Sequence, residues 1–461
     1  MSPDWIIMEK SKTKKRNSID MTRGPLLKPL ILFILPVIGG SVFQQLYNTV
    51  DFMFVGNYMD KTAAAAVGAS ATLIAITIGL FSGIATGGSI VAAYAIGEEN
   101  PEEEERVLHS LVLFGIIAGL TIMALGMVLA PAVLRLLDTP ASALPMAIMY
   151  LRIYLISIPM VVFYNMVSGV LRAEGDSRSP FIVLAVCGVL NVLMDFIFIA
   201  VLQLGIQGAA TATVVTQSMS ALFIGYMVCR GGRPVRLSLR KLRIHGRLLG
   251  QILKIGIPTG FQTMIVTFSN IMVQYYINGF GETAVAAFAT YYKVENLIWL
   301  AIVAFGQAAV TFAGQNIGAG NFQRLRSGVR VIVLFGVGVT VCVSGLILLF
   351  PEVVFRWFIK DQEVMMTAIS LAKVSFPLYF IYPFIEVYGG AVRALGHAGK
   401  SMAVVVANQC VLRVGLLAVF SAVFHSLRSL AAVYPITWAT TAACFILLFL
   451  LLVRKRDTSL S

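Results

Sequence analysis

Apolar residues fall into twelve long runs along this chain, separated by short stretches that collect charged residues, Gly and Pro. The runs lie near 30–55, 64–96, 107–130, 147–171, 179–202, 206–229, 252–278, 284–315, 328–350, 366–390, 401–424 and 431–453. About 20 apolar residues in helical form cross the hydrocarbon core of a bilayer, so each run predicts one transmembrane helix. Runs 2 and 8 exceed that need, which predicts tilt or protrusion beyond the bilayer. The alternating ten-residue segments of a membrane barrel are missing from the sequence.

Composition agrees with the pattern. Of 461 residues, 58% are hydrophobic and 12% charged, against about 25% charged in soluble domains. With a mean hydropathy of +0.86, no soluble core would hide that much apolar surface, and a soluble enzyme is excluded. The five Cys form no CxxC pair and the four His lie far apart, so neither a disulfide framework nor metal-site spacing is expected. No catalytic residue and no organic cofactor is assigned. The first 29 residues are polar and basic, and the run after them lacks a small-residue cleavage site, so no removable signal peptide is expected.

Charge orients the chain. An even number of crossings places 26 of the 35 Lys and Arg on one side, from Lys10, Lys12, Lys14, Lys15 and Arg16 in the tail to Arg454, Lys455 and Arg456 at the end. Seven fall on the other side, and only Lys293 and Arg413 lie inside runs. The positive-inside rule then puts both termini in the cytoplasm of a plasma membrane, the inner membrane of a Gram-negative cell. The net charge of +13 is accounted for by topology, and no nucleic-acid partner is expected.

The basic stretch from Arg230 to Lys254 splits the runs six and six, and the halves match. Leu35-Pro36 corresponds to Ile257-Pro258 and Asn48 to Asn270, 222 residues apart; Gly169 matches Gly390, and Arg172-Ala173 matches Arg393-Ala394, at an offset of 221. Six is even, so both halves insert the same way up, as parallel repeats about an axis along the membrane normal. The expected fold is an all-α membrane protein of twelve transmembrane helices in two six-helix bundles related by pseudo-two-fold symmetry, with a central cleft suited to alternating access. Its expected parts are a tail (1–29), a first lobe (30–229), a linker (230–251), a second lobe (252–453) and a tail (454–461).

Charges at mid-span cost about 2.5–3.5 kcal/mol on insertion scales, so each needs a reason. Four acids qualify: Asp51, Asp195, Glu295 and Glu386. Gln44, Asn48 and Asp51 share a helical face, as do Asn191 and Asp195, and Thr213 lies in run 6. The second half has Val273 and Leu416 where the first has Asp51 and Asp195, so the pair serves something specific to the first lobe. Two carboxylates in a dry pocket do not both stay ionised cheaply, so one is expected to hold a proton. The oxygens of Asp51, Asn191, Asp195 and Thr213 would equally ligate Na⁺, while a cluster gluing helices together is the plain structural alternative. Glu295 with Lys293, and Glu386 with Arg413, are expected to neutralise one another or, failing that, to face an organic cation together with Tyr47. Pro36 is a hinge or a static kink. Gly83-x-x-x-Gly87 reads as close helix packing, Glu98 to Glu105 as a solvated loop, and Phe163 and Met166 as packed or lipid-facing.

The strings LPVIGGSVFQQLYNTVDFMFVG (35–56), LNVLMDFIFI (190–199), AVTFAGQNIGAGN (309–321) and GGAVRALGHAGKS (389–401) resemble the multidrug and toxic compound extrusion (MATE) family of secondary transporters over nearly the whole chain. The resemblance implies two bundles in a V that export amphipathic, often cationic small molecules in exchange for H⁺ or Na⁺. It implies a first-lobe cation site at Asp51, Asn191, Asp195 and Thr213, and a bending proline at Pro36. Some members pair acids in runs 7 and 10, but run 7 here has none and Glu386 falls about a turn from that position. A second-lobe Na⁺ site is therefore not carried over. A monomer in the lipid bilayer is expected. The alternatives are a lipid-linked glycan flippase of the related superfamily, which would need a more cationic cleft, and a membrane-embedded enzyme, for which no constellation is found.

Overall fold

The computed structural model describes residues 18–230 and 235–460; Lys10, Lys12, Lys14, Lys15, Arg16 and Arg233 lie outside them. Twelve long helices follow one another: α1 (Leu27–Tyr58), α2 (Lys61–Gly97), α3 (Pro101–Leu136), α4 (144–173), α5 (Arg178–Val201), α6 (Gly205–Cys229), α7 (Gly246–Asn278), α8 (Glu282–Gly318), α9 (Phe322–Leu349), α10 (Gln362–Ala394), α11 (Ala398–Phe424) and α12 (Leu427–Leu460). Ten of them, and the bent α4 as an eleventh, are long and apolar enough to cross a membrane. The twelfth, α7, is the polar one: Thr259, Gln262, Thr263, Thr267, Asn270 and Gln274 dilute its apolar residues.

Some boundaries move from those expected. The acids Glu102, Glu103 and Glu104 form the first turn of α3 instead of a loop, with the Asn100 side chain capping the Glu103 N–H and Pro101 opening the helix. Negative charge is favourable at that helix end. At the other terminus the helix runs through Arg454-Lys455-Arg456, and the Arg456 guanidinium lies 5.8 Å from the Phe322 ring centre. Residues 18–26 are held against the helix bundle: Met21 is buried, and its N–H donates to Gln315.

Two helices are interrupted at matching places. α4 bends by 44° between Leu155 and Ile158, and α10 tightens into a 3₁₀ turn at Phe376–Ile381. Ser157 and Leu378, 221 apart, sit at those breaks, and a proline follows or lies within each, as expected where an N–H is missing.

The pseudo-two-fold is visible in individual hydrogen bonds. Tyr94 on α2 donates to the carbonyl of Ala394 at the end of α10. Its repeat equivalent, Gln315 on α8, donates 2.7 Å to the carbonyl of Ala173 at the end of α4. Both pairs obey the 221 offset, so the axis runs between α2 and α8 at the end of the molecule where the described chain begins and ends, here called the basic face. Around it α1 and α7 change partners. Leu30, Phe33, Ile34 and Val37, the basic-face end of α1, belong to the second lobe's buried cluster, whereas Val55 belongs to the first. Leu248, Ile252 and Ile255 of α7 belong to the first lobe's cluster, and Val273 and Ile277 to the second. Pro36 and Pro258 stand close to the two crossovers, each inside a helix that continues through it.

The two crossings are not equally tight. Along α2 and α7, a Cβ on Gly83 would meet the Gly260 backbone. One on Gly256 would lie 2.6 Å from Ile84 Cα, and one on Gly260 2.9 Å from Leu80 O. Only glycine lets the two backbones touch, which confirms Gly83-x-x-x-Gly87 as a packing surface. At the matching positions of α8 and α1 stand Ala304, Ala308, Ile34 and Ile38.

Candidate functional site

The polar cluster of the first lobe lies where α1, α4, α5 and α6 meet. Asp195 is the last residue of the regular part of α5; a π-helical stretch, Phe196–Val201, follows. Such widened turns are rare and are common at functional sites. Asp195 is 0% exposed, and neither of its carboxylate oxygens accepts a hydrogen bond among the described residues; nor does Oδ1 of Asp51. Asp51 lies close enough for its charge to act on Asp195, and both act on Tyr150 of α4. Asp51 also acts on Tyr154 and on Tyr47, whose hydroxyl is within reach of the Gln44 and Gln217 amides. The Tyr150 and Tyr154 rings stand 6.2 Å apart and are buried.

The structure therefore places Asp51 within electrostatic reach of both Asp195 and Tyr47. Asn191, one turn before Asp195, donates its amide to Thr216 Oγ1 at 3.3 Å. The Thr213 hydroxyl is tied to its own helix, donating 3.1 Å to the Ala209 carbonyl. The hydroxyl that Asn191 meets is thus that of Thr216, three residues further along α6. Asn48 and Gln44 are both exposed. Tyr150, Tyr154, Thr216 and Gln217 escaped the sequence reading, although a tyrosine pair four apart within an apolar run was a signal that one helix face there is polar. The oxygens gathered here suit a proton or a small hard cation. Among the described residues no group of three or more His, Cys, Asp or Glu assembles, so a multi-acid divalent-metal centre is not built.

The second lobe is different. Glu295 on α8 is buried, accepting 2.7 Å from Tyr379 and 3.3 Å from Tyr291. The expected pairing with Lys293 does not form: Lys293 is exposed, since residues two apart on a helix do not share a face. Glu386 does not meet Arg413 either. It sits against Gly306, and the charge that acts on it is that of Arg393, seven residues along its own helix. Arg413 is 2% exposed, directly after the π-helical stretch of α11, Val406–Leu412. Its guanidinium contacts Thr437, Ser269 and Asn270 at 3.4–3.5 Å and lies 4.8 Å from the Tyr434 ring centre. It makes no ion pair among the described residues, although Glu295 is close enough to feel its charge. Glu295 is thus enclosed by tyrosines, with Arg413 behind, and does not line an open cleft.

The MatE family model matches the chain twice, over residues 36–197 and 258–419. The chain belongs to the MatE family. The two matches are themselves 222 residues apart, so each lobe of this MatE protein is one copy of the family unit. It is 30% identical over 408 residues to the probable multidrug resistance protein YpnP of Bacillus subtilis, covering 87% of this chain and 90% of that one. It is 21% identical over 403 residues to the multidrug export protein MepA of Staphylococcus aureus, covering 87% and 89%. A solved structure described as an outward-facing conformation of a multidrug resistance MATE family transporter of the MOP superfamily superposes with a TM-score of 0.88. That match has 24% identity and covers 96% of this chain and 98% of that one. The fold is thereby that of the MATE transporters.

Proposed function

We propose that this protein is a secondary active efflux transporter. It exports amphipathic, cationic drugs or metabolites in exchange for H⁺ or Na⁺ by alternating access, as a monomer in the plasma membrane with the basic face cytoplasmic. The names of its relatives support export of drugs, and the excess of Lys and Arg on one face supports the orientation. The observation that carries ion coupling is Asp195: a fully buried carboxylate with no donor on either oxygen among the described residues, near Asp51, in a lobe whose repeat twin has neither acid. A buried charge without a partner is strongly unfavourable. The pair is stabilised when a proton or Na⁺ enters, and the free energy of that event depends on the ion's concentration on the side to which the pocket opens. Ion occupancy then biases the lobe between two arrangements, with α1 and its Pro36 as the element that responds.

In proteoliposomes loaded with a fluorescent organic cation, an imposed H⁺ or Na⁺ gradient is expected to drive efflux in the parent protein. Asp51→Asn and Asp195→Asn are each expected to reduce gradient-driven efflux at least ~100-fold while inserting normally. A variant transporting at the parent rate under the same gradient would overturn the reading.

A further inference from the structure

Away from both polar sites, the outer surface of the first lobe carries an apolar groove of about 370 Å³ between α3, α4 and α6. Ile116 and Leu120 of α3, Met160 and Phe163 of α4, and Leu222 and Tyr226 of α6 line it. Gly225 leaves room beside the Phe163 ring: a Cβ there would sit 3.3 Å from it. Leu120, Met160, Leu222 and Tyr226 are exposed, so the groove opens sideways into the bilayer. Tyr226 lies in the last turn of α6, at the basic face.

The polar end of the groove is built. Arg230, the first residue after α6, folds back along the helix and donates 2.7 Å to the Tyr226 hydroxyl, its guanidinium 5.4 Å from the ring centre. Arg230 makes no ion pair among the described residues. The linker that follows lies across the same edge: Leu237 N–H donates to Val228 O, Ser238 N–H to His109 on α3, and Lys241 to Glu105. It carries the exposed Arg236 and Arg240. The apolar groove thus adjoins, through Tyr226 at the basic face, a guanidinium held by that tyrosine, with further cations beyond it.

We propose that this groove is a binding site for an anionic phospholipid of the basic-face leaflet, one acyl chain in it and the phosphate on Arg230. Burial of the chain confers little selectivity, because bilayer and groove are equally apolar. Selectivity comes from the headgroup, where one well-placed cation favours an anionic lipid about five-fold. The site is independent of the acid pocket and of which ions or drugs the protein carries.

The test uses the full chain with Phe163→Trp as a reporter lining the groove, its quenching taken as the difference from the parent chain with its four native tryptophans, in nanodiscs of phosphatidylcholine and phosphatidylglycerol with brominated acyl chains on one lipid at a time. Quenching of this tryptophan is expected to reach half its maximum at about five-fold lower mole fraction of brominated phosphatidylglycerol than of brominated phosphatidylcholine. Arg230→Gln is expected to remove that difference, and Tyr226→Phe to reduce it. Equal quenching by the two lipids, or an unchanged preference in Arg230→Gln, would overturn the proposal. Native mass spectrometry of the unmodified chain guards against a reporter that fails to fold. One retained phosphatidylglycerol that Arg230→Gln sheds supports the site, and equal retention of both lipids overturns it.

Discussion

The fifth helix of each lobe interrupts itself with a π-helical stretch, and a charged residue stands at the edge of each stretch, but the charges are opposite. In the first lobe it is Asp195, with no donor on either oxygen among the described residues; in the second it is Arg413, ringed by Ser269, Asn270, Thr437 and Tyr434, with Glu295 close enough to feel its charge. At the repeat position of Arg413 the first lobe has Val192, and at that of Asp195 the second has Leu416. Duplication thus supplied one scaffold twice, and the two copies were finished in opposite senses. In the second lobe Glu295 accepts from two tyrosines and Arg413 donates to hydroxyl and amide oxygens of its own lobe. In the first lobe both oxygens of Asp195 and Oδ1 of Asp51 accept from no donor among the described residues, as the proposed ion coupling requires.

The largest test of that contrast lies at the seams. If the α2/α7 crossing is the tight one, Gly83→Ala should push two backbones apart that have nothing flexible between them. The expected cost is at the top of the range for overpacking, about 3 kcal/mol or more, read as loss of folded protein on gel filtration after mild heating. Ala304→Gly, at the matching position of the other crossing, should cost only about 1 kcal/mol through helix propensity. Equal losses would mean that the seams are mechanically alike, and that the lobes do not owe their difference to packing.

A smaller effect, and one of opposite sign in the two lobes, is expected from neutralising one acid in each. Asp195→Asn removes a buried charge that no donor compensates, so the apparent melting temperature should stay level or rise. Glu295→Gln weakens an acceptor that two tyrosine hydroxyls and the field of Arg413 rely on. It should lower stability by about 1–3 kcal/mol. Thermal shift in one detergent compares the two directly. A fall in both would make Asp195 a structural residue like Glu295 and remove the asymmetry.

How much of this was legible beforehand follows from what each level depends on. The number of helices, the parallel repeat and the Gly83/Gly87 contact were readable, because span length, repeat offset and small-residue spacing are properties of the chain itself. Asp51 and Asp195 were readable because acids at mid-span are expensive and the twin half served as a control. The identity of their neighbours was not. Thr213 and Thr216 lie three apart on one helix, and only tertiary packing decides that Asn191 meets the second. Tyr150 and Tyr154 come from α4, whose bend at residues 156–157 sets where they point. The salt-bridge expectations failed for a related reason: equal numbers of acids and bases say nothing of geometry, and Lys293 and Glu295 diverge simply because they are two apart. The segment 18–26 read as tail because its composition is polar. Its attachment rests on Met21 and on backbone carbonyls that any sequence would present.

That segment supplies the mildest test, because it breaks the symmetry of the two interlobe hydrogen bonds. Tyr94 makes the single bond to Ala394, and Tyr94→Phe should weaken closure at the basic face by about 1 kcal/mol. Gln315 makes the equivalent bond to Ala173 but also accepts from Met21 N–H, whose carbonyl in turn receives Asn316 and Arg324. Arg324 grips the carbonyls of Arg23 and Gly24 as well, and Arg23 reaches across to Glu99 at 2.6 Å. The chain from Met21 to Gly24 therefore ties α8 and α9 of one lobe to the α2–α3 turn of the other. Gln315→Ala should lose both bonds and cost roughly twice what Tyr94→Phe costs. With spin labels at the exposed, repeat-related residues 178 and 399, pulsed distance measurements would report the fraction of molecules separated at the basic face. That fraction should rise more for Gln315→Ala than for Tyr94→Phe, and Arg324→Ala, which leaves both repeat-related bonds intact, should fall between them. If Arg324→Ala left the distances unchanged, the strap would be a passenger, and the two lobes would be held at this end by the symmetric pair alone.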